Sequence, residues 1–222
     1  MQKIVFLTIV LSMILWNCRE DNEEAPGILK DIDGNVYTTV TIGTQVWMLE
    51  NLKTTKYNDG SDIPNVTDSS AWAVLSTPGY CWYNNDAFNK NEYGGLYNWY
   101  AVNTGKLCPK GWHIPSVEEW NILVNYLGGR TIAGRKLKET GNTHWVNALT
   151  DASNESGFTG LPGGYCDYNG AFRFLGYNAD YWSSTEFNLT DANVLDMFYE
   201  VSYLNIAHVN KHYGFSVRCV KD

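Results

Sequence analysis

The sequence predicts an α+β fold, short helices set around a twisted antiparallel sheet. Three observations lead there: few segments carry helical periodicity, many short β-rich runs are separated by Gly, Asn and Asp turns, and the connections between them are long.

Taken in order, Val36 to Ile42 and Gln45 to Met48 alternate branched or aromatic residues with polar ones around Gly43-Thr44, which reads as a hairpin. Leu52 to Pro78 is polar and turn-rich, with a turn at Asn58-Asp59-Gly60-Ser61-Asp62 and a short helix over Ser70 to Leu75. Tyr80 to Tyr83 and Gly95 to Val102 are aromatic runs expected to pack against the first helix. The best-defined helix follows: Pro109 and Pro115 hold a loop extended, Ser116 N-caps, and Glu119 completes a capping box. Trp120, Leu123, Val124 and Leu127 form its buried face, and Gly128-Gly129 supply the positive φ that ends it. Ala133 to Glu139 reads as a second short helix ending at Gly141. In the last third, Ala171 to Leu175, Tyr181 to Thr185, Leu195 to Val201 and Phe215 to Val220 read as strands.

Residues 1–18 read as an export signal: Lys3, an apolar run from Ile4 to Trp16, then Asn17-Cys18. The run is too short for an ordinary membrane span, which takes about 20 residues. Leu15 three places before Cys18 resembles the lipobox of bacterial prolipoproteins, so Cys18 is the expected lipidation site. Residues 19–30 form an acidic tether that begins Arg19-Glu20-Asp21 and has no apolar pattern. A basic residue and then acids after the lipidated cysteine also resembles a signal for display on the outer face of the outer membrane. A periplasm-facing lipoprotein is the alternative. Residues 31–222 then form one domain.

Removal of residues 1–18 takes away Lys3 and moves the formal charge from −8 to −9. That balance is unsuited to phosphate backbones, so nucleic acid is not an expected partner. With 44% hydrophobic and 14% aromatic residues, the chain can bury a sizeable core. Four cysteines remain after export, Cys81, Cys108, Cys166 and Cys219, enough for two disulfides in three connectivities. No pair has the Cys-x-x-Cys spacing of a zinc site.

Catalytic constellations are not evident. Ser183-Ser184 lacks the Gly-x-Ser-x-Gly elbow, and His208 and His212 offer two imidazoles with no third ligand. His113 and His144 read as hydrogen-bonded structural residues. Asn84-Asn85-Asp86, Asp59-x-x-Asp62 and Asp167-x-Asn169 gather oxygen ligands of the kind calcium takes, although Asn and Asp are also ordinary turn residues. No cofactor is expected, and structural calcium is the one ion these loops admit.

The run Gly111-Trp112-His113-Ile114-Pro115-Ser116-Val117-Glu118-Glu119-Trp120 is joined by Gly94-Gly95-Leu96-Tyr97-Asn98-Trp99-Tyr100-Ala101-Val102, by Leu161-Pro162-Gly163-Gly164-Tyr165 and by a Gly214-Phe215-Ser216-Val217-Arg218-Cys219-Val220 ending. Together they resemble the Fibrobacter succinogenes major paralogous domain, over roughly residues 31–222. The Trp-His-Ile-Pro-Ser-x-Glu-Glu-Trp and Gly-Phe-x-x-Arg-Cys elements more distantly resemble the sulfatase-modifying, formylglycine-generating domain, a variant of the C-type lectin-like fold.

That resemblance implies a C-type lectin-like, formylglycine-generating-enzyme-like architecture, in which the terminal strand returns beside the start of the domain. It implies a Cys108–Cys219 disulfide, leaving Cys81 and Cys166 to pair by elimination or Cys166 to stay free. The close cysteine pair that holds copper in the formylglycine-generating enzymes has no counterpart here, because no cysteine lies between Cys166 and Cys219. Tyr165, Asp167, Tyr168, Arg173 and Trp182 are the expected ligand face, since they fall in the Gly-rich region where this fold places its variable loops. The expected function is non-catalytic: a surface-anchored lipoprotein whose domain binds or scaffolds extracellular glycan or protein. The alternatives are an enzyme of the formylglycine-generating fold with an altered metal site, and a purely structural display domain.

Overall fold

The computed structural model describes residues 27–146 and 152–222. The expected signal segment 1–18, its lipidation site Cys18, and the tether as far as Pro26 lie outside the described residues.

In chain order the strands are β1 (Ile28–Lys30), β2 (Val36–Ile42), β3 (Gln45–Met48), β4 (Tyr80–Cys81), β5 (Leu96–Asn98), β6 (Trp112–His113) and β7 (Tyr165–Cys166). They continue with β8 (Phe172–Arg173), β9 (Asn178–Glu186), β10 (Asp191–Phe198), β11 (Leu204–Asn210), β12 (Gly214–Phe215) and β13 (Val220–Lys221). The helices are α1 (Ser69–Ala73), α2 (Asn89–Tyr93), α3 (Trp99–Val102), α4 (Val117–Tyr126) and α5 (Arg130–Leu137). The architecture is mixed α and β, with short helices around three sheets ordered β1-β2-β3-β13-β6, β11-β10-β9 and β4-β5-β12-β7-β8. Neighbouring strands in each sheet pair antiparallel.

The hairpin around Gly43-Thr44 forms as its alternation predicts, with Ile42 opposite Gln45 and Val40 opposite Trp47. The tether gives way to structure sooner than its acidic composition suggests. Ile28 to Lys30 pair with Val36 to Thr38, because Leu29 reaches the apolar cluster below. Helix α4 starts at the expected place: Ser116 Oγ accepts from the Glu119 N–H at 3.2 Å, and Glu119 Oε2 accepts from the Ser116 N–H at 2.8 Å. Trp120, Leu123 and Val124 are buried, and Gly128 and Gly129 take φ of 98° and 94°.

The sheet β11-β10-β9 lies between two cores. Ala179, Tyr181, Leu195, Met197 and Leu204 face one, which contains Trp47, Trp120 and Phe158. Trp182, Ala192 and Val194 face the other, with Tyr97, Trp99 and Phe215. A strand buried on both faces loses the apolar–polar alternation of a half-exposed one.

The C-terminal motif ties these layers together. Its expected single strand is instead two, β12 and β13, in different sheets. Between them Ser216 O accepts from the Trp182 N–H, Val217 O from the Leu52 N–H, and Cys219 O from the Met48 N–H. β13 then inserts between β3 and β6, Val220 lying opposite both Trp47 and His113. Arg218 is fully buried. It donates through Nη1 to Phe158 O and through Nη2 to Asn51 Oδ1 at 2.6 Å, and its guanidinium lies 4.2 Å from the Phe158 ring centroid. Cys108 and Cys219 form a disulfide, 111 residues apart in sequence. Cys81 and Cys166 are separate buried thiols rather than a formed bridge.

Candidate functional site

The Gly-rich stretch after Leu161 builds a tight hairpin. β7 pairs with β8, Tyr165 opposite Arg173 and Cys166 opposite Phe172. Gly164 at φ 59° enters it where a Cβ would lie 2.4 Å from Arg173 O, a position only glycine fills. Asp167 holds the turn: Oδ1 accepts from the Asn169 N–H at 2.9 Å and the Ala171 N–H at 3.0 Å. Its Oδ2 accepts from Arg173 Nε at 3.2 Å. Asp167 is 8% exposed and its oxygens are engaged, so it positions the hairpin and fixes the Arg173 stem, while the Arg173 side chain stays 55% exposed.

Upon this hairpin sits a continuous aromatic group. The Tyr165 ring lies 5.8 Å from Phe174, 5.7 Å from Tyr213 and 5.4 Å from Phe215. Tyr168 lies 5.7 Å from Tyr213, which stacks on Phe215 at 5.4 Å. Tyr168 is 50% and Phe174 52% exposed. Phe174 holds a φ of 59°, sparsely populated for a bulky residue and costing on the order of 1–3 kcal/mol, and its half-exposed ring lies beside Tyr165. Burial, then the Asp180 carboxyl, pushes the Tyr165 phenol up to about 12. Burial, then Asp167, raises Tyr213 as well, so both hydroxyls remain neutral donors near neutral pH.

Four of the five expected ligand residues, Tyr165, Asp167, Tyr168 and Arg173, therefore meet in one patch. Trp182 does not. It is 0% exposed, donates through Nε1 to Tyr97 O at 2.7 Å, and packs edge-on against Phe215 at 4.9 Å. It is the floor of the aromatic group and cannot touch a ligand. Phe174 and Tyr213 join the face without having been expected there. For Tyr213 the signal was present: Tyr213-Gly214-Phe215 places two aromatics on one side of an extended segment, separated by a residue with no side chain.

Beneath Tyr165, Asp180 and Asp196 face each other across β9 and β10. Asp196 accepts from Asn205 Nδ2 at 3.3 Å, and Asp180 Oδ2 is buried with no hydrogen-bond partner. Burial raises Asp196 up to about 7, and burial followed by the neighbouring carboxyl raises Asp180 well above the carboxylate range. Both shifts favour the protonated, uncharged form of the carboxyls.

The remaining candidates are turn and clamp residues. Asp59 Oδ1 accepts from the Ser61 N–H at 3.0 Å and Oδ2 from Lys106 Nζ at 2.8 Å, and Asp86 Oδ1 accepts from the Phe88 N–H at 2.9 Å. Among the described residues, no group of three or more His, Cys, Asp and Glu side chains is placed to hold a metal ion. His208 stacks on Phe187 at 3.6 Å, while His212 binds Asn210 Oδ1 through Nδ1 at 2.6 Å and meets Tyr100 edge-on. The two imidazoles are thus held by different partners. His113 bridges Asp222 at 2.6 Å and Glu119 at 2.7 Å, and His144 bridges Glu92 at 2.7 Å and Glu139 at 2.8 Å. Both are structural clamps.

A family model described as Fibrobacter succinogenes major domain matches residues 40–221. No curated protein and no solved structure matches the chain.

Proposed function

The chain belongs to the Fibrobacter succinogenes major domain family, and from that membership we propose that it is a non-catalytic binding module of C-type lectin-like fold, displayed on a lipid anchor at Cys18 and recognising extracellular glycan. The observation that carries this reading is the aromatic face on the β7–β8 hairpin. Tyr168 and Phe174 offer flat apolar surface for the faces of sugar rings, and Tyr165, Tyr213 and Arg173 offer hydrogen-bond donors at its edge. The Asp167 hydrogen bonds hold the turn without a ligand, which limits the ordering entropy that opposes binding. The anchor is supported by Lys3, the apolar run and Cys18, and outward display by the acidic segment that follows.

The test is a glycan array probed with purified residues 27–222. Binding to a defined glycan class is expected, with Tyr168→Ala and Phe174→Ala each weakening it about tenfold, the equivalent of about 1.4 kcal/mol. Cells making the full chain should capture the same glycan, and Cys18→Ala in that full chain should abolish capture by the cells. An array with no binding, or binding indifferent to both aromatic substitutions, would sink the glycan reading.

A further inference from the structure

The small apolar cluster behind the β7–β8 hairpin contains Trp72, Tyr83 and Leu96 together with both free cysteines, Cys81 and Cys166. Cys81 is on β4 and Cys166 on β7, strands that are not neighbours in their sheet. The sheet nevertheless curls enough to bring both side chains into the same buried cluster, where they line one small void with Val66, Trp72 and Gly170. Gly214, on the intervening β12, leaves room for this. A Cβ there would lie 3.2 Å from that of Cys166 and 2.8 Å from the Trp72 ring. The Cys166 thiol also lies 3.7 Å from Asp167 O, the residue that organises the candidate ligand turn. The other two cysteines of the described chain are already joined to each other, so this pair has no competing partner among the described residues.

We propose that Cys81 and Cys166 are a second oxidation site, closed to a disulfide while the chain folds, which straps β4 to the start of the β7–β8 hairpin. The chemistry is thiol–disulfide exchange with a small-molecule or protein disulfide donor. One cysteine thiolate attacks a donor sulfur, forms a mixed disulfide and releases one donor thiol. The second cysteine then attacks the mixed disulfide, forming the Cys81–Cys166 bond and releasing the second donor thiol. The protein loses two protons and two electrons, and the donor gains both. The Cys108–Cys219 bridge belongs in an environment that supplies such donors.

Timing follows from burial. Both sulfurs lie in residues only 1% exposed, and burial pushes the Cys81 thiol well up, which depletes the attacking thiolate once the fold is complete. Exchange therefore belongs to the folding chain. A molecule folded without a donor keeps both thiols. This holds whatever the aromatic face binds.

The experiment uses the full chain with Cys18→Ser, which removes the fifth cysteine. Reduced, denatured protein is refolded in a mixture of oxidised and reduced glutathione, alkylated in denaturant, and mapped by mass spectrometry of non-reduced peptides. The expected result is a Cys81–Cys166 linked peptide beside the Cys108–Cys219 one. Protein first folded with Cys81 and Cys166 reduced and then placed in the same buffer should form that bond at least about tenfold more slowly. Refolded protein with Cys108–Cys219 closed but both Cys81 and Cys166 alkylated would overturn the site. Equal rates from the folded and unfolded chains would overturn the folding-time order.

Discussion

Asp180 and Asp196 show how a residue pair sets a response to pH. Both carboxyls bind a proton more tightly in the folded protein than in the unfolded chain, because burial disfavours their charge. The stability they contribute is complete below the ordinary carboxylate value of about 4 and is lost as pH rises toward about 7. Asp180→Asn replaces a carboxyl that burial disfavours when charged with a neutral amide of nearly the same shape. The variant should lie within about 1 kcal/mol of the parent at pH 5 and exceed it by about 1 kcal/mol or more at pH 8, read by urea denaturation at each pH. Equal destabilisation at both values would mean that burial does not raise the Asp180 carboxyl. His113 works in the same direction. Its hydrogen bonds to Asp222 and Glu119 raise its pKa against the opposing effect of burial, so the clamp is complete at acid pH and loosens as pH rises through that raised value. No residue-level pattern announced the dyad. Nothing local marks Asp180 or Asp196, because their burial comes from the packing of β9 and β10 between the two cores.

Among the elements, α4 was the most legible and is the most interdependent. Its Ser116 side chain accepts from the Glu119 N–H and donates to Glu119 Oε2, and the same carboxylate holds His113 through Oε1. Ser116→Ala removes the cap and loosens the histidine clamp, so about 1–2 kcal/mol should be lost in thermal or urea denaturation. A cycle with His113→Gln should be non-additive, since both changes act through Glu119. Helix and hairpin could be read because capping chemistry, helical spacing and strand alternation are local. β11 was missed for the opposite reason. Leu204 and Ile206 face one core while Ala207 and Val209 face the other, and Asn205 is spent on Asp196, so no period-two polarity marks it as a strand. The site was legible in the same uneven way. Tyr165, Asp167, Tyr168 and Arg173 share one hairpin and are close in sequence, whereas Tyr213 arrives from the far side of β11 and Trp182 is drawn inward by Phe215.

At the scale of the whole molecule, two short sheets and the three-stranded layer are joined by residues far apart in the chain. The Cys108–Cys219 disulfide closes a loop for which the chain-entropy argument gives about 4–5 kcal/mol. Replacing both cysteines by serine should lower stability by about 2–5 kcal/mol in urea, and a change under 1 kcal/mol would show that the bridge only follows packing already secured by Arg218 and Val220. The mixed α and β class agreed with the sequence pattern, and the Cys108–Cys219 pairing with the family resemblance. The division of the last seven motif residues between two sheets had no local signature, because their hydrogen-bond partners, Trp182, Leu52 and Met48, lie elsewhere in the chain. β13 enters between β3 and β6, which otherwise have no partner on those edges within their sheet. The β6 edge therefore cannot join β1-β2-β3 until Val220 and Lys221 have been made and delivered. A molecule interrupted before Gly214 would lack Phe215 and Val217 of one core and Val220 of the other, and would leave the apolar residues beneath them open to proteolysis.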